Sequence, residues 1–154
     1  MAYMKTTKAL TIALLGWASL VANFAHAAPI GIEQGQAMAQ QGKWANLLET
    51  AQAALAQTPN DVRWQLLLGV AQAQSQQYNK ALATFQDMVK RHPELPEAHN
   101  NLGLVLAAMG KPNEARQAFE QALRANPQFA LAKKNLNLLP APPAAAAAPA
   151  RATP

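Results

Sequence analysis

Cysteine is absent from the 154 residues. That removes disulfides, thiolate nucleophiles, Cys-ligated zinc, iron–sulfur clusters and a lipidated N-terminal cysteine. Serine occurs only at Ser19 and Ser75 and histidine only at His26, His92 and His99, so nucleophile–base pairs have almost nothing to be built from. No catalytic residue is assigned, and the chain reads as a non-enzyme. Charged residues make up 14% and aromatics 6%, alongside 11 prolines. Spread evenly, that mixture would describe a disordered chain, but the prolines fall at set intervals. The length allows one domain of ordinary size.

The first segment has basic residues without acids, Lys5 and Lys8, and then an uncharged run from Ala9 to Ala25 that ends in Ala25-His26-Ala27. A basic start, an apolar stretch and a small-x-small exit describe a cleavable signal peptide over 1–27, cut between Ala27 and Ala28. The rival reading is an uncleaved membrane anchor, since the run is just long enough to cross a bilayer; Gly16, Ser19 and Asn23 make its second half a poor span. Export to the periplasm or beyond is the expectation, with no membrane span in the mature chain. Removing Lys5 and Lys8 from the 13 basic residues, against 8 acidic ones, leaves a net charge of +3. That is too mild and too evenly mixed to point to nucleic acid.

After the leader one period organises everything. Gly35, Gly69 and Gly103 are 34 residues apart, and so are Pro59, Pro93 and Pro127. Apolar positions share the spacing: Leu47, Ala81 and Ala115; Ala51, Phe85 and Phe119; Ala54, Met88 and Ala122. Each unit reads as two helices. In the middle one Ala81, Leu82, Phe85, Met88 and Val89 recur at helical spacing after the polar turn Gln76-Gln77, and Pro93 ends the segment. A glycine inside a helix costs about 1 kcal/mol relative to alanine, so three in register need a reason. The expected reason is close approach to an alanine on the second helix.

This pattern resembles the tetratricopeptide repeat (TPR) family, which places Trp, Leu, Gly and Tyr on a first helix and Ala, Phe, Ala and Pro later in a 34-residue unit. Residues 96–129 match best, through Asn101-Leu102-Gly103, Gly110, Ala115, Phe119, Ala122 and Pro127; residues 62–95 follow with Leu68-Gly69, Tyr78, Ala81, Phe85 and Pro93. Residues 28–61 form a degenerate first unit, with Gln34 where leucine is usual and Leu47 where alanine is usual. The resemblance implies an all-α, right-handed α-solenoid of three helix-turn-helix units. A capping helix over 130–139 follows, with Phe129, Ala132, Leu136 and Leu139 on one face and Lys133, Lys134, Asn135 and Asn137 opposite. In 140–154 thirteen of the fifteen residues are Pro or Ala, which describes an extended, disordered tail. In organisation the chain is most similar to small exported repeat proteins of Gram-negative bacteria.

The densest polar cluster, His92, Glu94, Glu97 and His99, sits between two prolines on a turn and on different helices. It lacks any His pair on one helical face, so no metal or cofactor is assigned. What remains is the groove that stacked first helices line in the family, holding a peptide or a partner helix. Matching the pattern puts Arg63, Leu66, Leu67, Val70 and Gln74 on it in the second unit and Glu97, Asn100, Asn101 and Leu104 in the third, with Lys134 and Asn135 continuing on the cap. An asparagine carries one acceptor and two donors, so Asn101 can hold a peptide amide from both sides. Leu66, Val70 and Leu104 fall outside the expected packing set and form an apolar strip. The expected function is binding of a protein or peptide in that groove to scaffold an envelope complex. The alternatives are a regulatory subunit of an envelope enzyme such as a peptidoglycan synthase, and a chaperone-like binder of exported chains.

Overall fold

A computed structural model describes residues 30–141; the expected signal peptide and nearly all of the Pro/Ala tail lie outside the described residues. Among the described residues the chain forms seven helices and no strand: α1 (Ile32–Gln40), α2 (Trp44–Gln57), α3 (Val62–Gln74), α4 (Tyr78–Arg91), α5 (Pro96–Ala108), α6 (Pro112–Ala125) and α7 (Ala130–Leu138). Sequential helices pack antiparallel in pairs, and each first helix also touches the first helix of the next pair. The result is an all-α solenoid of three helix-turn-helix units closed by α7.

Local chemistry sets the boundaries. The Asp61 carboxylate accepts the Arg63 backbone N–H at 3.0 Å and caps α3. Pro96 and Pro112 open α5 and α6 at a position where the missing N–H costs nothing. The turn inside each unit uses one geometry three times. Gly42, Gln76 and Gly110 have φ of 68°, 60° and 75°, and the following N–H reaches five residues back, from Lys43 to Met38, Gln77 to Gln72 and Lys111 to Leu106. This is the Schellman closure, which needs a left-handed residue and normally uses glycine. Gln76 fills it without one.

The helical glycines have a different neighbour from the one expected. A Cβ on Gly69 would stand 2.5 Å from Phe85 Cζ, and one on Gly103 would stand 2.5 Å from Phe119 Cε1. The alanines on the second helices, Ala81 and Ala115, are buried, but it is the phenyl ring that occupies the glycine's missing side-chain space. In the first unit Ala51 takes the place of the phenylalanine, and the ring over Gly35 is Trp64, contributed by α3 of the next unit at 2.5 Å from the virtual Cβ. The degenerate unit is therefore completed by its neighbour.

Two apolar clusters follow. One gathers Ala81, Phe85, Met88, Ala98 and Val105, the other Leu106, Ala115, Ala118 and Phe119. Leu136 and Leu139 pack onto the second cluster and Ala132 is fully buried, so α7 covers the end of the stack and keeps Lys133 and Asn137 in solvent.

Candidate functional site

Successive first helices form one wall of the solenoid, and between α3 and α5 that wall sinks into a hollow of about 280 Å³. Val70, Ala73 and Gln74 enter from α3, and Asn101, Leu104, Val105 and Ala108 from α5. Tyr78 and the nearly buried Phe85 close it from α4. Ala73 and Ala108, both short, leave the space open. No lining side chain is charged. The polar groups are the amides of Gln74 and Asn101 and the Tyr78 hydroxyl, which between them supply donors and acceptors beside an apolar floor.

Of the residues placed in the groove from the sequence, Val70, Gln74, Asn101 and Leu104 are brought together in this hollow. Leu104 is 45% exposed despite its size. Glu97 and Lys134 are exposed on α5 and α7 and make no ion pair among the described residues. Arg63 is exposed, but it is held by Asp61: its Nη2 donates to Oδ2 at 2.8 Å and its Nε to Oδ1 at 3.2 Å. That side-chain bond holds the Asp61 carboxyl below its ordinary range, against a smaller opposing push from burial. The same bond raises the guanidinium, with Glu33 of α1 adding to the effect.

Three expectations need correction. Asn100 is not available to a ligand: it is 3% exposed and its Oδ1 accepts from Asn135 Nδ2 at 2.8 Å, so both amides are used to join α5 to α7. Leu67 is half-buried and turns a methyl group onto Gly35 of α1. Leu66 and Val70 do not lie outside the packing set, because both are partly buried against the cluster around Phe85 and Met88. Of the proposed strip, only Leu104 is free of that duty. The His92–His99 segment splits as its prolines suggest, with His92 Nδ1 3.6 Å from Glu94 and His99 Nε2 2.9 Å from the Pro93 carbonyl.

The sequence reading missed Tyr78, Ala73 and Ala108 in the hollow. The signal for Tyr78 was its register, where Trp44 and Pro112 stand in the other units; a phenol occurs there only once. It also missed Leu131 and Leu138, which are 58% and 72% exposed. They are seven residues apart on α7, and Leu138 repeats the register of Val70 and Leu104.

The tetratricopeptide repeat family model matches residues 32–96, 66–128 and 100–136. Searching the curated proteins gives no match. Solved structures similar to this chain include the Sgt2 TPR domain from Aspergillus fumigatus, at 20% identity with a TM-score of 0.64 over 68% of this chain and 71% of that one. The second TPR domain of human RPAP3, solved in complex with an HSP70 peptide, is 22% identical, with a TM-score of 0.62 over 68% and 88%. The Yersinia enterocolitica type III secretion chaperone SycD, in complex with a peptide of the translocator YopD, is 18% identical, with a TM-score of 0.62 over 69% and 86%. At these identities the likeness is one of fold.

Proposed function

This chain belongs to the tetratricopeptide repeat family, and we propose that it is a non-catalytic protein–protein interaction module that holds a polypeptide segment against the wall formed by α3, α5 and α7. The observation that carries the reading is the hollow between α3 and α5, where Leu104 remains 45% exposed next to the side-chain amides of Gln74 and Asn101. Leu104 adjoins Val70, Ala73 and Ala108 in the hollow, and it is contiguous apolar surface of this kind, not a single exposed leucine, that supports a contact site. Support comes from two proteins of similar fold whose structures hold peptides, the RPAP3 domain and SycD.

The setting we propose is the cell envelope, on the strength of the leader-like 1–27. There the module scaffolds or assembles a complex. A regulatory subunit of an envelope enzyme is the version in which binding changes a partner's turnover. The likeness to a secretion chaperone favours a second reading, a chaperone-like binder of exported chains. Mass spectrometry of the protein from envelope fractions is expected to find Ala28 at the N-terminus; an intact Met1 in the inner membrane would replace the secreted form with an anchored one.

The binding reading is tested by placing a photo-crosslinking residue at Leu104 and, in a separate protein, at the exposed Gln86 of α4. Crosslinks to a defined partner are expected from position 104 only. Crosslinks of equal yield from both positions would move the binding site off this wall.

A further inference from the structure

The chain leaves its last helix at the same end of the stack as the hollow. Leu139 packs onto the cluster that holds Leu106 and Phe119, and the Pro140 carbonyl accepts a hydrogen bond from Arg116 Nη2 of α6 at 2.6 Å, so the exit is fixed as far as Pro140. The first helices α3, α5 and α7 run in one direction and end at Gln74, Ala108 and Leu138. Gln74, Ala108 and the neighbouring Tyr78 are lining residues of the hollow, and they mark the end where the chain departs. Leu138, 72% exposed, stands at the exit, and Leu104, 45% exposed, lines the hollow on α5, which α7 touches.

Thirteen residues, 142–154, follow the described chain. Their contour spans at most about 43–47 Å, several times the diameter of the one helix, α5, that stands between α7 and the hollow. Their chemistry fits the lining. Residues 142–150, PPAAAAAPA, carry no charge to desolvate, and no lining side chain is charged. Alanine and proline lose almost no side-chain entropy on burial, and their small size suits a floor kept open by Ala73 and Ala108. Each proline offers a carbonyl and no N–H, while the lining offers the donors of Gln74, Asn101 and Tyr78. Tethering does the rest: a short linker holds its segment at an effective concentration on the order of 1 mM, so a contact with a Kd of only ~1 mM is already half formed.

We propose that residues 142–154 occupy the hollow of their own molecule and act as an intramolecular competitor of the polypeptide partner. The proposal rests on the binding reading above and adds its regulation. A partner must displace the segment, which lowers its apparent affinity about twofold when the segment is half-bound.

The chain has no cysteine, so Ala146→Cys accepts a single nitroxide label on the full chain, and paramagnetic broadening of backbone amides reads where the segment sits. The amides of Gln74, Asn101 and Leu104 are expected to broaden more than that of Gln117, which is exposed on α6 beside the Arg116 anchor and which an unseated segment would reach first. Leu104→Gln is expected to remove that excess with helicity unchanged by circular dichroism. If this variant loses helicity, Asn101→Asp, which adds a charge to the lining, is read in its place. Broadening greatest at Gln117, or an excess indifferent to the substitution, overturns the proposal and leaves the hollow open to a partner. Broadening of an unlabelled, isotope-marked copy by a labelled one, equal to that within one copy, overturns it in favour of exchange between molecules. The binding reading is judged separately, with the photo-crosslinking residue at position 104. Removing 142–154 is expected to raise the yield of partner crosslinks about twofold; an unchanged yield overturns the competition alone, and no crosslink from either chain overturns the binding reading.

Discussion

Asn135 donates its side-chain N–H to the Asn100 carbonyl oxygen at 2.8 Å, and this is a polar tie between the last unit and the helix that caps it. Asn100 is almost fully buried, so either amide alone is left unsatisfied. Asn100→Ala is expected to cost about 1–3 kcal/mol, the penalty of an orphaned buried partner. Replacing both residues by leucine is expected to cost less than the single change. Urea melts of the two variants check this, and a double variant weaker than the single would mean the pair does not couple the helices.

Gly69 and Gly103 are predicted to be intolerant of alanine for a reason that can be isolated. The added methyl would stand 2.5 Å from the rings of Phe85 and Phe119, and overpacking of this kind costs about 1–3 kcal/mol. Gly69→Ala combined with Phe85→Leu is expected to be more stable than the sum of the two separate losses. Strict additivity in thermal melts would show that the ring is not what Gly69 accommodates.

Gln76 has φ of 60° where the other two units have glycine. A side chain in the left-handed region is strained, and glycine relieves that strain at some cost in unfolded-state entropy. Gln76→Gly is expected to stabilise the protein by roughly 0.5–1 kcal/mol. Because Gln76 is exposed, no contact is lost, and a fall in the melting temperature would contradict the assignment.

Asp61 makes stability depend on acid. Its carboxyl is held below the ordinary value of 3.8 by the Arg63 hydrogen bond, so the folded chain binds its proton less readily than the unfolded one. The contribution is complete above that ordinary value and is lost as pH falls through the lowered one. Asp61→Ala is expected to cost about 1 kcal/mol at neutral pH through loss of the α3 cap. The variant's stability should also fall less steeply below pH 4 than the parent's; parallel acid limbs would rule out the carboxylate as the source.

Removing α7 and the residues after it, by ending the chain at Pro127, uncovers Leu106 and Phe119, which Leu136 and Leu139 otherwise protect. The expected loss is several kcal/mol at about 25 cal/mol per Å² of apolar area. An unchanged melting temperature would mean that α7 is not a cap.

The repeat was legible because its signals are local and occur in register. Glycines and prolines 34 residues apart mark where helices must touch and where they must stop, and Phe85 and Phe119 recur with them. The candidate site was legible only in part. The pattern located the wall, and Val70, Gln74, Asn101 and Leu104 do share one hollow, but a side chain's register gives its direction and not its neighbours. Asn100 and Asn101 are adjacent and chemically identical, yet one is consumed by Asn135 and the other faces the hollow. No periodicity separates them.

The sequence by itself determined the class, the unit length and the turn positions, since each follows from residue type and spacing along the chain. Tertiary structure alone decided which ring fills each glycine's space, which leucines remain in water, and that Trp64 completes the unit before its own. Those outcomes depend on volumes contributed by residues far apart in sequence. A core settles them only when all of its side chains compete for the same space.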